Sequence, residues 1–128
     1  MTFARWLFWI SGAWGLLVLV PHYFLEQSFG ENNPPAITHP EFYYGFIGIG
    51  IGWQIAFLMI GSDPLRFRPM MLPSAVEKLS FAAATVALYA AGRIPVMILG
   101  AGLVDLLLGL LFLIAWQTSG ASARTRHD

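Results

Sequence analysis

Charge and cysteine are what this chain has least of. Lysine, arginine, aspartate and glutamate make up 11% of its 128 residues, whereas a soluble domain carries about a quarter. The formal net charge is +0 at pH 7, which leaves no basic field to attract nucleic acid. There is no cysteine, which excludes disulfides, thiol redox chemistry, cysteine zinc sites and covalent c-type haem.

The motifs that mark common enzyme classes are missing as well. The sequence has no Walker A loop, no GxGxxG motif, no nucleophile elbow and no histidine pair at bis-haem spacing. The glycines between Gly45 and Gly52 do not form a phosphate loop, because they lie inside a long apolar segment. We therefore predict no metal site or cofactor, assign no catalytic residue, and leave enzymatic activity open.

Long apolar runs dominate what is present. Hydrophobic residues make up 57% of the chain, and four apolar segments cover about 5–26, 41–61, 74–92 and 94–117. Each has the roughly 20 residues that a helix needs to cross a bilayer. The sequence predicts an all-α, four-helix transmembrane bundle in a single domain over 1–117, followed by a disordered polar tail over 118–128.

Proline, glycine and serine punctuate these segments. Ser74 and Glu77 match a capping box at the start of the third helix. Gly92 is expected to close that helix, and Pro95 lies in the first turn of the fourth, so the link between them is short. Pro21 is expected to kink the first helix near its end. A cleaved signal peptide is the alternative for the first segment, but the segment is long and no small-residue cleavage site follows it.

The distribution of basic residues predicts the orientation in the membrane. With both termini on the cytoplasmic side, six of the seven lysines and arginines lie on that side, which satisfies the positive-inside rule. The six are Arg5, Arg66, Arg68, Lys78, Arg124 and Arg126. Lys78, in the first turn of the third helix, is expected to extend to the headgroups. We predict a multi-pass protein of the bacterial inner (plasma) membrane.

Small residues are expected to let the helices pack closely, because lipid gives no hydrophobic drive to helix association. The second helix carries a GxxxG pair at Gly48 and Gly52. On the fourth helix, small residues three and four positions from Asp105 share its face: Ala101, Gly102 and Gly109.

Asp105 is the most informative residue, since a carboxylate near the middle of a membrane helix costs about 2.5–3.5 kcal/mol on insertion scales. Counting depth along ideal helices places Asp105 level with Gln54, Thr85 and Trp14, and we predict a polar site of these four. A protonated Asp105 would donate to the Gln54 amide. Either this is a packing hydrogen bond that sets helix register, or it is a ligand or proton site.

A second candidate cluster is expected at the outer, non-cytoplasmic end of the helices. His22 and Glu26 are four residues apart on the first predicted helix, Glu41 opens the second and Arg93 follows the third. Such a cluster is able to bind a metal, gate a pocket or relay protons. The alternative is an arginine–carboxylate tie between helix ends.

The stretch from His39 onward resembles a known group of proteins. It contains FYYGF, DPLRFRP, the Glu77-Lys78 pair, GRIP from Gly92 and then Asp105. In this overall pattern the chain is similar to small bacterial four-helix integral membrane proteins, DoxX-like in size and layout. The resemblance implies a compact four-helix bundle. DoxX itself is associated with quinone-linked membrane redox complexes, but no redox activity or site residue is carried over.

Three functions remain open at this point. The first is a structural or accessory subunit that binds lipid and a membrane-protein partner, or forms a homo-oligomer. The alternative is a ligand-handling bundle, either a membrane enzyme on a lipophilic substrate or a small oligomeric transporter, that uses Asp105 and Gln54. The third, a haem or quinone subunit with His22 or His39 as ligand, has least support because histidines are few.

Overall fold

A computed structural model describes residues 2–126, and all regular structure in that part of the chain is helical. The long helices are α1 (Thr2–His22), α3 (Pro40–Ser62), α4 (Met71–Ala90) and α5 (Val96–Thr125). A short α2 (Glu26–Asn32) follows α1, and a 3-10 turn (Arg68–Met70) leads into α4. Four helical segments, α4 being counted with its 3-10 turn, are long and apolar enough to cross a bilayer. The predicted fold class is confirmed, and the chain is a multi-pass membrane protein by helix length and composition.

The first tight pair is α1 with α3. Along this interface the contacts run in opposite order on the two helices, so the helices are antiparallel. Gly15 of α1 lies against the Gln54 side chain, and Gly50 of α3 lies against Leu19. At the other end of the pair, Gly61 lies against the Trp9 ring. The predicted GxxxG pair of α3 takes no part in this interface, because its two glycines lie on the exposed side of the helix.

The second tight pair is α4 with α5, also antiparallel. Gly102 lies against Thr85, and Gly109 lies against Leu79 and the Cβ of Lys78. These two glycines are buried on the Asp105 face of α5, as predicted, whereas Ala101 is exposed. The absence of side chains at both positions lets the two backbones approach closely.

The link between α4 and α5 follows from Gly92. This glycine has φ +70, a backbone conformation that disfavours other residues. Its amide donates to the Tyr89 carbonyl at 2.9 Å, and the Arg93 amide donates to the Leu88 carbonyl at 2.9 Å. This is a Schellman motif, so the prediction that Gly92 closes the helix is confirmed.

The two pairs share a core at one end of the bundle only. We call this the terminal end, since it holds the start of α1 and the end of α5; the opposite end is the α2 end. Phe8, Phe57 and Phe112 meet there, with the rings of Phe8 and Phe112 stacked at 4.2 Å and those of Phe57 and Phe112 edge-on at 5.0 Å. All three are fully buried. Ala4, Ile60, Met71, Ala75 and Ala115 complete this core.

The first predicted span ends earlier than expected. Helix α1 stops at His22, and Glu26 instead begins α2. After Pro21 the amides bond three residues back rather than four, from Tyr23 to Val20 and from Phe24 to Pro21. This tighter turn ends the α-helix. The prediction that His22 and Glu26 lie on one helix is therefore wrong.

The predicted disordered tail is also wrong for residues 118–125, which continue α5. Arg68 donates from Nε to the Trp116 carbonyl at 2.9 Å, and its guanidinium lies over the Trp116 ring and against Gly120. Ser119 and Gly120 are consequently buried. A tertiary contact thus stabilises a polar segment whose composition favours disorder. Residues 127 and 128 of the predicted tail lie outside the described residues.

The predicted capping box is wrong too, because α4 begins three residues earlier, at Met71. Ser74 is inside the helix, where its hydroxyl donates to the Met70 carbonyl at 2.6 Å. Glu77 therefore lies inside α4 and does not cap its start.

We predict that Gly102→Ala destabilises the α4–α5 pair, because the added methyl group would overlap the Thr85 hydroxyl. Overpacking of this kind costs about 1–3 kcal/mol. Gly100→Ala is the matched control, since no described atom outside the adjoining turns of α5 lies within 4 Å of the added Cβ, and alanine favours helix by about 1 kcal/mol. Equilibrium unfolding in mixed micelles with increasing dodecyl sulfate measures both. Equal stability of the two variants would contradict the packing.

Candidate functional site

An ion pair inside the bundle is the most unusual polar feature. Lys78 of α4 donates from Nζ to Oδ1 of Asp105 on α5 at 3.1 Å. Oε2 of Glu77 lies 3.9 Å from the same nitrogen. Lys78 is 5% exposed and Nζ also lies 5.5 Å from the ring centre of Phe57 on α3. Two carboxylates and a phenyl face therefore surround one ammonium group.

Helical spacing explains why these side chains point inward. Asp105 is three residues from Gly102 and four from Gly109, on the face of α5 that packs against α4. On α4, Lys78 lies three residues after buried Ala75 and four before buried Ala82. Both charged residues therefore sit in the middle of a buried face, where each is the other's nearest partner.

The prediction that Lys78 extends to the headgroups is wrong for this reason. An ammonium buried in a membrane protein needs an anionic partner, and Asp105 provides it within the same helix pair. Assigning Lys78 to the first turn of the third span hid this pairing. The sequence does indicate that Lys78 faces inward, since it continues the three- and four-residue spacing of the buried positions of α4.

The four residues of the predicted mid-membrane site do not form one group. Gln54 is buried on α3, but its amide donates to the Gly50 carbonyl at 3.0 Å and its Oε1 has no partner among residues 2–126. Thr85 is buried and donates to the Ala82 carbonyl at 2.9 Å. Trp14 is 55% exposed. The predicted burial of Gln54 and Thr85 is confirmed, while the Asp105–Gln54 bond is replaced by Asp105–Lys78.

Gln54 belongs to a polar layer of its own. Ser11 of α1 is 2% exposed, and its hydroxyl has no hydrogen-bond partner within the described part of the chain. Ser11 lies one helical turn from Phe8, and Gln54 lies one turn from Phe57, both toward the α2 end. A buried polar layer therefore directly follows the aromatic core along α1 and α3.

The second predicted cluster is dispersed over the α2 end. Nδ1 of His22 lies 2.6 Å from the Val18 carbonyl, and Glu26 accepts a 2.7 Å bond from Tyr44. Glu41 pairs with His39 at 3.3 Å, with both side chains largely exposed. Arg93 is exposed in the α4–α5 link. The four residues share an end of the bundle, and His22 and Glu26 are linked only indirectly, through two adjacent residues of α3.

Two tyrosines of the FYYGF motif make that connection. Tyr43 donates to the His22 carbonyl at 2.7 Å, and Tyr44 donates to the Glu26 carboxylate. Tyr44 also stacks on Tyr23 at 6.0 Å. These contacts fasten the α1–α2 turn to the start of α3. The FYYGF motif is therefore a structural tie between these elements.

Two open cavities lie at the α2 end, and neither includes the ion pair. One, of about 380 Å³, lies between α2 and the following loop, beside Glu26 and Glu31. The other, of about 490 Å³, lies between that loop, the start of α3 and Phe81 of α4. Within residues 2–126, no three histidine, aspartate or glutamate side chains are grouped to hold a metal ion.

We predict strong coupling between Lys78 and Asp105. Lys78→Met alone leaves two buried carboxylates without a cation and is expected to cost about 3–5 kcal/mol, whereas Asp105→Leu alone leaves Lys78 only its longer contact with Glu77, at 3.9 Å. The double variant is expected to lose much less than the sum of the two single losses. Unfolding of the two single variants and the double variant in mixed micelles measures the coupling. Arg93→Met with Glu41→Leu is the control cycle, where exposed side chains should give additive effects. Additive losses at Lys78 and Asp105 would rule out the pair.

Comparison with known proteins gives no match to a family model, a curated protein or a solved structure. The resemblance to DoxX-like proteins therefore stays a prediction, and the function has to be argued from the geometry of this chain.

Proposed function

We propose that the chain is a small accessory subunit of a membrane assembly, which works by binding another membrane protein. The site geometry supports this role because the Lys78–Asp105 pair of the bundle interior connects two of the chain's own helices. Asp105 is bonded to Lys78 of the adjacent helix, and the two open cavities lie elsewhere.

The observation that carries the proposal is an unused glycine face on α3. Gly45, Gly48 and Gly52 point away from α1, and no described atom outside the adjoining turns of α3 lies within 4 Å of the position a Cβ would take at Gly45 or Gly52. At Gly48 the nearest is the Tyr23 hydroxyl, at 3.3 Å. A smooth helix face suits close approach of another transmembrane helix. The occupant is either a partner protein or a second copy of this chain.

The expected location is the bacterial inner (plasma) membrane, with both termini in the cytoplasm. The antiparallel helices support this orientation, because they gather Arg5, the 63–70 loop and the end of α5 at the terminal end. The α2 end has Arg93 as its one lysine or arginine. The positive-inside rule then assigns the terminal end to the cytoplasm.

Single cysteines test the orientation, since the chain has none of its own. Ser28 in α2 and Ser122 near the end of α5 are both exposed. We expect a membrane-impermeant maleimide to label Ser28→Cys in intact cells and Ser122→Cys only after lysis. The reverse labelling pattern would show that the topology is the opposite one.

A photo-crosslinking residue tests partner binding. When this residue replaces Gly52 and the protein is irradiated in host membranes, we expect one discrete adduct. Gly48→Leu fills the same face of α3 and should remove that adduct. The matched control position is Gly100, which is equally open but lies on α5. The mass of the adduct separates a second copy from a different protein. Equal adducts from both positions, or none from either, would contradict the proposal.

A second candidate function is ligand handling, which one observation favours. The Glu77 carboxylate has a buried oxygen without a hydrogen-bond partner in the described part of the chain, although it lies beside the Lys78–Asp105 pair. A carboxylate in this state inside a membrane protein is typical of substrate or ion sites.

A further inference from the structure

The four long helices do not all pack tightly on their neighbours. Helix α1 packs on α3, α4 packs on α5, and α1 also contacts α5, but α3 and α4 touch sparsely. We call the space between α3 and α4 the seam. Toward the α2 end the seam is bridged by Phe46 and Phe81, whose ring centres are 5.9 Å apart. Toward the terminal end it is closed by the buried core.

The walls of the seam are aromatic. On α3, Phe46, Trp53 and Phe57 recur at intervals of seven and four residues, so they share one face. Trp53 is half-buried and packs on Phe57 with ring centres 6.4 Å apart. The 490 Å³ cavity opens at the α2 end of this wall, where Phe42 and Phe46 line it together with Phe81.

Glu77 lies on the same face of α4 as Phe81, one helical turn away. Its side chain is 22% exposed, while Oε2 turns inward, 3.9 Å from the Lys78 ammonium. Lys78 in turn reaches across to the Phe57 ring on α3. The carboxylate therefore stands where the aromatic wall meets the ion pair.

The charges at this point do not cancel when all three groups are ionised. Two carboxylates, Glu77 and Asp105, face one ammonium, Lys78. Asp105 takes the short bond of 3.1 Å, which leaves Glu77 with the longer contact of 3.9 Å. An uncompensated negative charge inside a bilayer is costly, and a cation of matching shape would neutralise it.

We propose that the seam binds an amphipathic organic cation, with its charged group beside Glu77 and its apolar part against Phe46 and Phe81. Charge attraction holds the cationic group at Glu77. The apolar walls accept hydrocarbon, and the sparse contact between α3 and α4 lets the ligand enter from the bilayer. This proposal goes beyond the accessory role and uses the opposite side of α3 from its glycine face.

Tetraphenylphosphonium is the probe, with tetraphenylborate as an anion of the same shape. Both are titrated by equilibrium dialysis against the full chain in lipid nanodiscs, with empty nanodiscs subtracted. We expect saturable binding of the cation and no saturable binding of the anion. Glu77→Gln keeps the shape of the side chain and is expected to weaken cation binding at least about tenfold.

Two further variants separate the seam from general effects. Phe81→Ala should weaken cation binding about threefold or more through lost aromatic contact. Glu31→Gln removes an acid of α2 outside the seam and should leave the affinity unchanged. Circular dichroism checks that each variant is folded. If Glu77→Gln does not fold, Phe81→Ala alone tests the seam. Equal binding of the two ions, or cation binding unchanged in the folded seam variants, would overturn the proposal.

Discussion

A bilayer interior offers no water to satisfy polar groups, so each buried charge needs its partner within the protein. This constraint applies most directly to Lys78 and Asp105, and the arrangement of α4 and α5 depends on the ion pair that they form. Gly102 and Gly109 allow the backbones to approach on either side of Asp105. Once the pair forms, the rotation of α4 is set, and the face that carries Lys78 also carries Ala75 into the shared core.

The interior is consequently divided along its length. At the terminal end, the stacked rings of Phe8 and Phe112 and the edge-on ring of Phe57 join α1, α3 and α5, and Met71 and Ala75 of α4 complete the same apolar core. From that layer toward the α2 end lie Gln54 on α3 and the ion pair between α4 and α5. The apolar core shared by the two helix pairs is therefore confined to the first region.

Sequence reasoning identified the helices and the inward direction of Asp105, because both follow from local periodicity and from glycines three and four residues away. It failed on the partner of Asp105. Counting depth along ideal helices selected Gln54, but the actual partner is Lys78, 27 residues away on the adjacent helix. Which polar group pairs with which depends on helix rotation and crossing, and these are set by packing over the whole interface. Glu26 was misplaced for a local reason, since the tightened turn after Pro21 ends α1.

The end of α5 shows how a single tertiary contact overrides composition. Small polar residues favour disorder, yet Arg68 binds the Trp116 carbonyl, lies on its ring and buries Gly120. With 30 residues, α5 is about 45 Å long, against a hydrocarbon core of about 30 Å. Because Arg68 lies in the 3-10 turn before α4, its contact fixes which part of α5 is level with the start of that helix. The last turns of α5, with Arg124, follow this level and exceed the roughly 20 residues that a span needs.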